Sequence, residues 1–153
     1  MKILGFILLF LFGIFYSTPF KIMETTQQNV VGGRMESGRS EVFEIKLIAK
    51  KPSSKLVFED LWIGVKHFKI KATHQKADNS ISTDFAKGDT ILIQAIERYL
   101  PSESGELVLQ KSDNIKSVPM EYTGKALIGF KFKNKQRYFV IDDFKQLKTE
   151  ERP

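Results

Sequence analysis

The chain has 153 residues, 42% of them hydrophobic, a formal charge of +6 and no cysteine. The lack of thiols excludes disulfides, thiolate metal sites, a cysteine nucleophile and a lipid anchor on an N-terminal cysteine. The positive balance favours anionic surfaces without specifying one, and lysine also keeps a β-rich surface soluble and unaggregated.

Residues 3–20 follow Lys2 and consist almost wholly of Ile, Leu and Phe, with no charge. A basic residue before a short apolar run is the layout of a secretory signal. Such a signal needs small residues three and one positions before its cut. Here Ser17 follows Phe15, Thr18 follows Tyr16, and Ser17 serves only a cut after Pro19. A membrane helix needs about 20 apolar residues, with a floor of about 17. Residues 3–20 sit near that floor, with Tyr16 placed to anchor at the interface. Residues 1–22 therefore read as a hydrophobic helix, either an uncleaved signal anchor, slightly preferred, or a cleaved signal peptide. Lys2 and the terminal amine favour a cytoplasmic N-terminus and export of the rest, although Lys21 weakens the asymmetry. The expected location is membrane-anchored with the β domain outside the cytoplasm, or secreted or periplasmic after cleavage.

About 130 residues remain, the size of one domain. Residues 23–40 turn polar and read as a linker, with Val30-Val31 able to begin a first edge strand and Gly32-Gly33 to bend it. Residues 41–149 form the expected domain, and 150–153 a charged tail. In 41–50, Phe43, Ile45, Leu47 and Ala49 alternate with Glu44, Lys46 and Lys50, the period of a half-buried strand. Leu56–Ile63 and residues 68–73 read as a hairpin around Gly64-Val65-Lys66-His67. A two- or four-residue loop sets Ile63 opposite Phe68, Leu61 opposite Ile70 and Asp60 opposite Lys71 in a charge pair.

Residues 74–87 look like loop, 90–98 like a central strand and 107–110 like a short one. The last hairpin flanks Asn134-Lys135 and pairs Phe130 with Phe139 and Ile128 with Ile141. The segment from Asp142 reads as a tail that frays after Leu147. About seven short strands, with no helix after residue 22, predict an all-β, immunoglobulin-like β-sandwich. A small barrel is the second choice.

The succession Gly32-Gly33, Ser37-Gly38, Leu61-Trp62-Ile63-Gly64, Lys87-Gly88-Asp89 and Gly124-Lys125-Ala126-Leu127-Ile128 resembles small bacterial envelope and secreted proteins with an immunoglobulin-like sandwich domain. The resemblance implies a fold across residues 28–149. It implies no activity and carries over no functional residue.

Catalytic patterns are weak. His67 and His74 are the only histidines, and on one strand their spacing puts them on opposite sides, as surface residues. Ser102-Glu103-Ser104-Gly105 is not a nucleophile elbow. Glu59-Asp60 and Asp142-Asp143 are neighbours on a strand, so each pair splits between two faces. Asp78, Ser80, Ser82, Asp84 and Asp89 brush the calcium-loop pattern, but Thr83 stands where that loop needs glycine. No cofactor or metal is expected.

The basic residues form the one candidate surface. Lys69 and Lys71 share a strand face, as do Lys131 and Lys133, while Lys66, Lys135 and Arg137 gather at turns. If both hairpins lie in one sheet, Lys69, Lys71, Lys131, Lys133, Lys135 and Arg137 make a face for anionic lipid or polyanion. Nucleic-acid stacking is disfavoured, because Phe68, Ile70, Phe130 and Phe132 point to the buried side. The sequence thus predicts an exported, non-enzymatic binding module of the cell envelope with a protein, lipid or glycan partner. An envelope hydrolase with residues converging from separate loops is the alternative.

Overall fold

The computed structural model describes residues 17–110 and 116–153, so residues 1–16 of the helix expected over 1–22 lie outside the described residues, while residues 20–22 begin a strand. The described chain is all-β, in two sheets that share one core, consistent with a β-sandwich. Its strands are β1 (Phe20–Gly32), β2 (Arg39–Ala49), β3 (Leu56–Ile63), β4 (Lys66–Lys69), β5 (Ala72–Gln75) and β6 (Ile81–Ser82). They continue with β7 (Thr90–Pro101), β8 (Leu107–Leu109), β9 (Ala126–Phe132), β10 (Lys135–Ile141), β11 (Lys145–Gln146) and β12 (Glu150–Arg152). The larger sheet runs β11-β1-β2-β7-β5-β6, with β12 also on β1 and β8 also on β7; the smaller runs β10-β9-β3-β4.

The alternation read from the sequence survives in β2, where Phe43, Ile45, Leu47 and Ala49 are all buried. Ile91, Ile93 and Ala95 of β7 continue the same inner face, and Leu56, Phe58, Leu61, Ile128 and Phe130 oppose them from the smaller sheet. The surprise in the core is Phe20. Its ring meets Phe58, Phe130 and Phe139 edge-on at 5.2, 5.1 and 5.3 Å, and the residue is 2% exposed. Burial of such a ring contributes about 1.5–3 kcal/mol, and each edge-to-face pair adds about 0.5–1.5 kcal/mol. Phe20 therefore belongs to the core of the domain. Strand β1 also takes up most of the stretch read as linker, so the domain begins before residue 23 and no stalk separates it from residue 17.

Three further expectations change. Both hairpins are shifted by two residues in register. Leu61 faces Phe68 and Asp60 faces Lys69 across a Gly64-Val65 turn, while Phe130 faces Arg137 and Ile128 faces Phe139 across Lys133-Asn134. Gly64 has φ +61°, as the first position of a type II′ turn needs; Lys133 and Asn134 have φ +50° and +64°, the type I′ pattern. Second, the expected strand 68–73 divides. β4 stays in the smaller sheet, Ile70 is buried at the crossing, and β5 joins β7 in the larger sheet. Third, the charged tail does not fray: β11 and β12 run parallel to β1, Leu147 N–H donates to Gln27 O at 2.8 Å, and Val30 pairs with Glu150. The tail covers the exposed edge of β1, which otherwise offers unpaired backbone to another chain.

Candidate functional site

The most organised polar cluster sits on the outer face of the smaller sheet, and a bulge creates it. Phe58 pairs with Phe130 and Asp60 with Gly129, which leaves Glu59 as an extra residue in β3. Strict alternation from Leu56 and Phe58 would turn Asp60 into the core. The bulge reverses the parity, so Leu61 points inward and Asp60 outward. Gly129, opposite, leaves room for the result: a Cβ there would lie 3.1 Å from Trp62 Cζ3 and 3.4 Å from Asp60 Cβ.

Asp60 is nevertheless buried, at 5% exposure. His67 Nε2 lies 2.7 Å from Asp60 Oδ1, and Lys116 Nζ reaches Oδ1 and Oδ2 at 3.2 and 3.1 Å. Burial alone raises the Asp60 pKa, but hydrogen bonds and charge from His67 and Lys116 outweigh it and hold the carboxyl below its ordinary value of 3.8. An ionised carboxylate only accepts, so His67 Nε2–H is the donor. Trp62 packs on His67 at 5.3 Å between ring centres and donates its indole N–H to Lys116 O at 3.1 Å. Further along the same segment, Tyr122 O–H donates to Gly64 O at 2.6 Å, and burial pushes its phenol pKa up. The segment from Lys116 to Tyr122 is thus a strap pinned to the β3–β4 hairpin.

This arrangement holds chain, and its His67–Asp60 pair is nearly closed to solvent. The His67 side chain is 1% exposed and that of Asp60 8%. A general base must come within about 3 Å of a substrate proton, directly or through one water. Beside the cluster, a lateral cleft of about 430 Å³ separates β4 from β7 and β8, walled by Val65, His67, Phe68, Gln94, Ile96 and Leu109. A Lys66–Glu97 ion pair crosses it, joining the two sheets, and the hydrogen bond to Glu97 raises the Lys66 pKa.

The two hairpins do lie in one sheet, but the basic residues named from the sequence do not form one face. Lys131 projects outward and is paired with Glu59 at 3.1 Å. Lys69 lies outward at the end of β4, on the opposite edge of the sheet from β10, and Lys71 is exposed in the crossing to β5. Lys133 is in the turn, not beside Lys131, and its ammonium lies 5.3 Å from the Phe132 ring centre. Arg137 stacks on the other approach to that ring at 5.1 Å, with Lys135 exposed next to it. Lys133, Lys135 and Arg137 therefore gather around Phe132, away from Lys69 and Lys71.

His67 is the clearest correction, since the sequence placed it at the surface. The Asp60–Lys71 charge pair does not form either; Asp60 takes His67 and Lys116 instead. His74 is part-exposed and lies 3.4 Å from Asp89. In the calcium-like loop, Asp78 accepts from Ser80 N–H at 2.9 Å and Asp89 accepts from Ala86 N–H at 2.8 Å, both local turn bonds. Sequence reasoning missed the Asp60–His67–Lys116 cluster because its parts are joined by a bulge and a distant strap. The one available signal was the strand change after Phe58, where apolar positions jump from Phe58 to Leu61.

Fold and site together define an all-β, two-sheet domain whose buried ionic cluster fastens a loop to a sheet. No family model matches the chain, and no curated protein or solved structure matches it.

Proposed function

We propose that this chain is an exported β-sandwich of immunoglobulin-like order, held at a membrane by its N-terminal segment and working as a binding module of the cell envelope, not as an enzyme. Two strand orders support the immunoglobulin-like type. The series β1-β2-β7-β5 has the sequence of an A-B-E-D sheet, and β10-β9-β3-β4 that of G-F-C with one added strand. The non-enzymatic reading is supported by the nearly closed Asp60–His67 pair.

The observation that carries the tether is the packing of Pro19 and Phe20. Pro19 is buried, its carbonyl accepts from Lys50 N–H at 2.9 Å, and β1 starts one residue later. The cut after Pro19, for which Ser17 stands at the required small position, would therefore remove a residue already packed in the domain. Cuts closer to residue 16 meet Phe15 or Tyr16 where a small side chain is needed. Both points support retention of the segment.

Protease added to the outside of intact cells or spheroplasts tests export. The β domain should be digested, or be released as a protected core, without lysis. Digestion that begins only after lysis would overturn the proposal.

A further inference from the structure

We infer that the end of the sandwich where β1 begins is a bilayer-facing surface, with Lys50, Lys51, Lys87 and Lys133 seated on anionic phospholipid headgroups. This rests on the tethered reading of residues 3–16. The four lysines, with Phe132, surround a shallow hollow that also contains Ser17, the first described residue after the apolar run. They come from three loops that the topology brings to one end: after β2, before β7, and the β9–β10 turn. All four are exposed, and none forms an ion pair among the described residues. The loops at the opposite end carry Glu36, Glu103, Glu106 and Glu121 together with Arg34, Lys116 and Lys125. The excess of cations thus lies at the end where the apolar segment leaves, with Asp84 and Asp89 the acids in the same loop as Lys87.

Length then fixes how close that end must come. With Pro19 and Phe20 folded into the domain, the apolar run outside it is residues 3–16. That run is shorter than the roughly 17 apolar residues a spanning helix needs, so its place in a membrane depends on the groups that flank it. A segment that short is accommodated by local thinning of the bilayer and by flanking groups reaching to the interface. No stalk intervenes, because β1 starts directly at Phe20. The shortfall therefore draws the loop end into the headgroup layer, where long lysine side chains meet phosphate. This surface differs from the sheet face expected from the sequence: only Lys133 belongs to both.

The test is lysine footprinting on the full chain in nanodiscs of phosphatidylcholine alone or with phosphatidylglycerol, with acetylation read residue by residue by mass spectrometry. Lys125, exposed at the far end, is the internal reference. In anionic discs Lys50, Lys51, Lys87 and Lys133 should be modified at least about threefold more slowly than in neutral discs, and the difference should vanish in about 1 M salt, where the Debye length falls to about 3 Å. A triple variant, Lys50→Glu, Lys51→Glu and Lys87→Glu, should lose the lipid dependence at Lys133, with unchanged Trp62 fluorescence as the check on folding. Equal modification in both discs, or protection indifferent to lipid charge and salt, would overturn the surface. Alkaline extraction of the native membrane separately tests the tether. If the chain is released there, the tethered reading fails, and the same footprinting of the released chain on anionic vesicles still decides the lysines.

Discussion

His67 and Asp60 meet at 2.7 Å along a diagonal of the β3–β4 hairpin, between the Trp62–His67 rung and the next rung on the same face, Asp60–Lys69. The diagonal works because the bulge at Glu59 turns Asp60 to the outer face, where Lys116 closes over it. A non-local strap therefore stabilises a local turn.

Removing the carboxylate should be costly. Asp60→Asn leaves His67 buried without its charged acceptor, and a loss of about 2 kcal/mol is expected, in the range for hydrogen bonds to charged groups. Lys116→Gln should cost under about 1 kcal/mol, because that side chain is 63% exposed and is screened by water. Urea midpoints at constant slope check both, and an equal effect of the two substitutions would contradict the assignment.

The same contact predicts a pH dependence. The folded pKa of Asp60 lies below its ordinary 3.8, so in the acid range the unfolded chain binds more protons. The stabilisation is complete above the unfolded value and disappears as pH falls through the folded one. The stability gap between the native chain and Asp60→Asn should thus shrink as pH falls below about 4. Urea titrations at several pH values measure it.

Space at Gly129 is the third expectation. A methyl group there comes to 3.1 Å from the Trp62 ring, so Gly129→Ala should destabilise by about 1–3 kcal/mol through overpacking. Trp62 is the single tryptophan, so its emission should report the displaced ring directly.

Much of the fold was legible because one-residue alternation marks faces. Phe43, Ile45 and Leu47 in β2, and Ile91 and Ile93 in β7, lie inward as their spacing predicts. Both hairpin registers slipped by two residues for the same reason: a shift of two leaves every side chain on its face, so the pattern cannot detect it. Turn chemistry decides instead, through positive φ at Gly64, Lys133 and Asn134. Phe20 was assigned to the apolar segment because a membrane run and a core strand share one composition where they join. His67 was misplaced because its burial depends on Lys116 and Trp62, which nothing near it in sequence announces.

Loss of the C-terminal strands should expose β1. Truncation after Phe144 removes the partners of Thr26, Gln27, Val30 and Val31. The shortened chain should show faster amide exchange at the β1 residues bonded to the tail, and concentration-dependent association by light scattering, the behaviour of an uncovered edge.

The tether is the central claim, and intact mass after alkaline extraction of the native membrane tests it most directly. The account predicts a membrane-retained chain of 17.6 kDa with residues 3–16 in place. A soluble chain beginning at or just before Ser17 would contradict it.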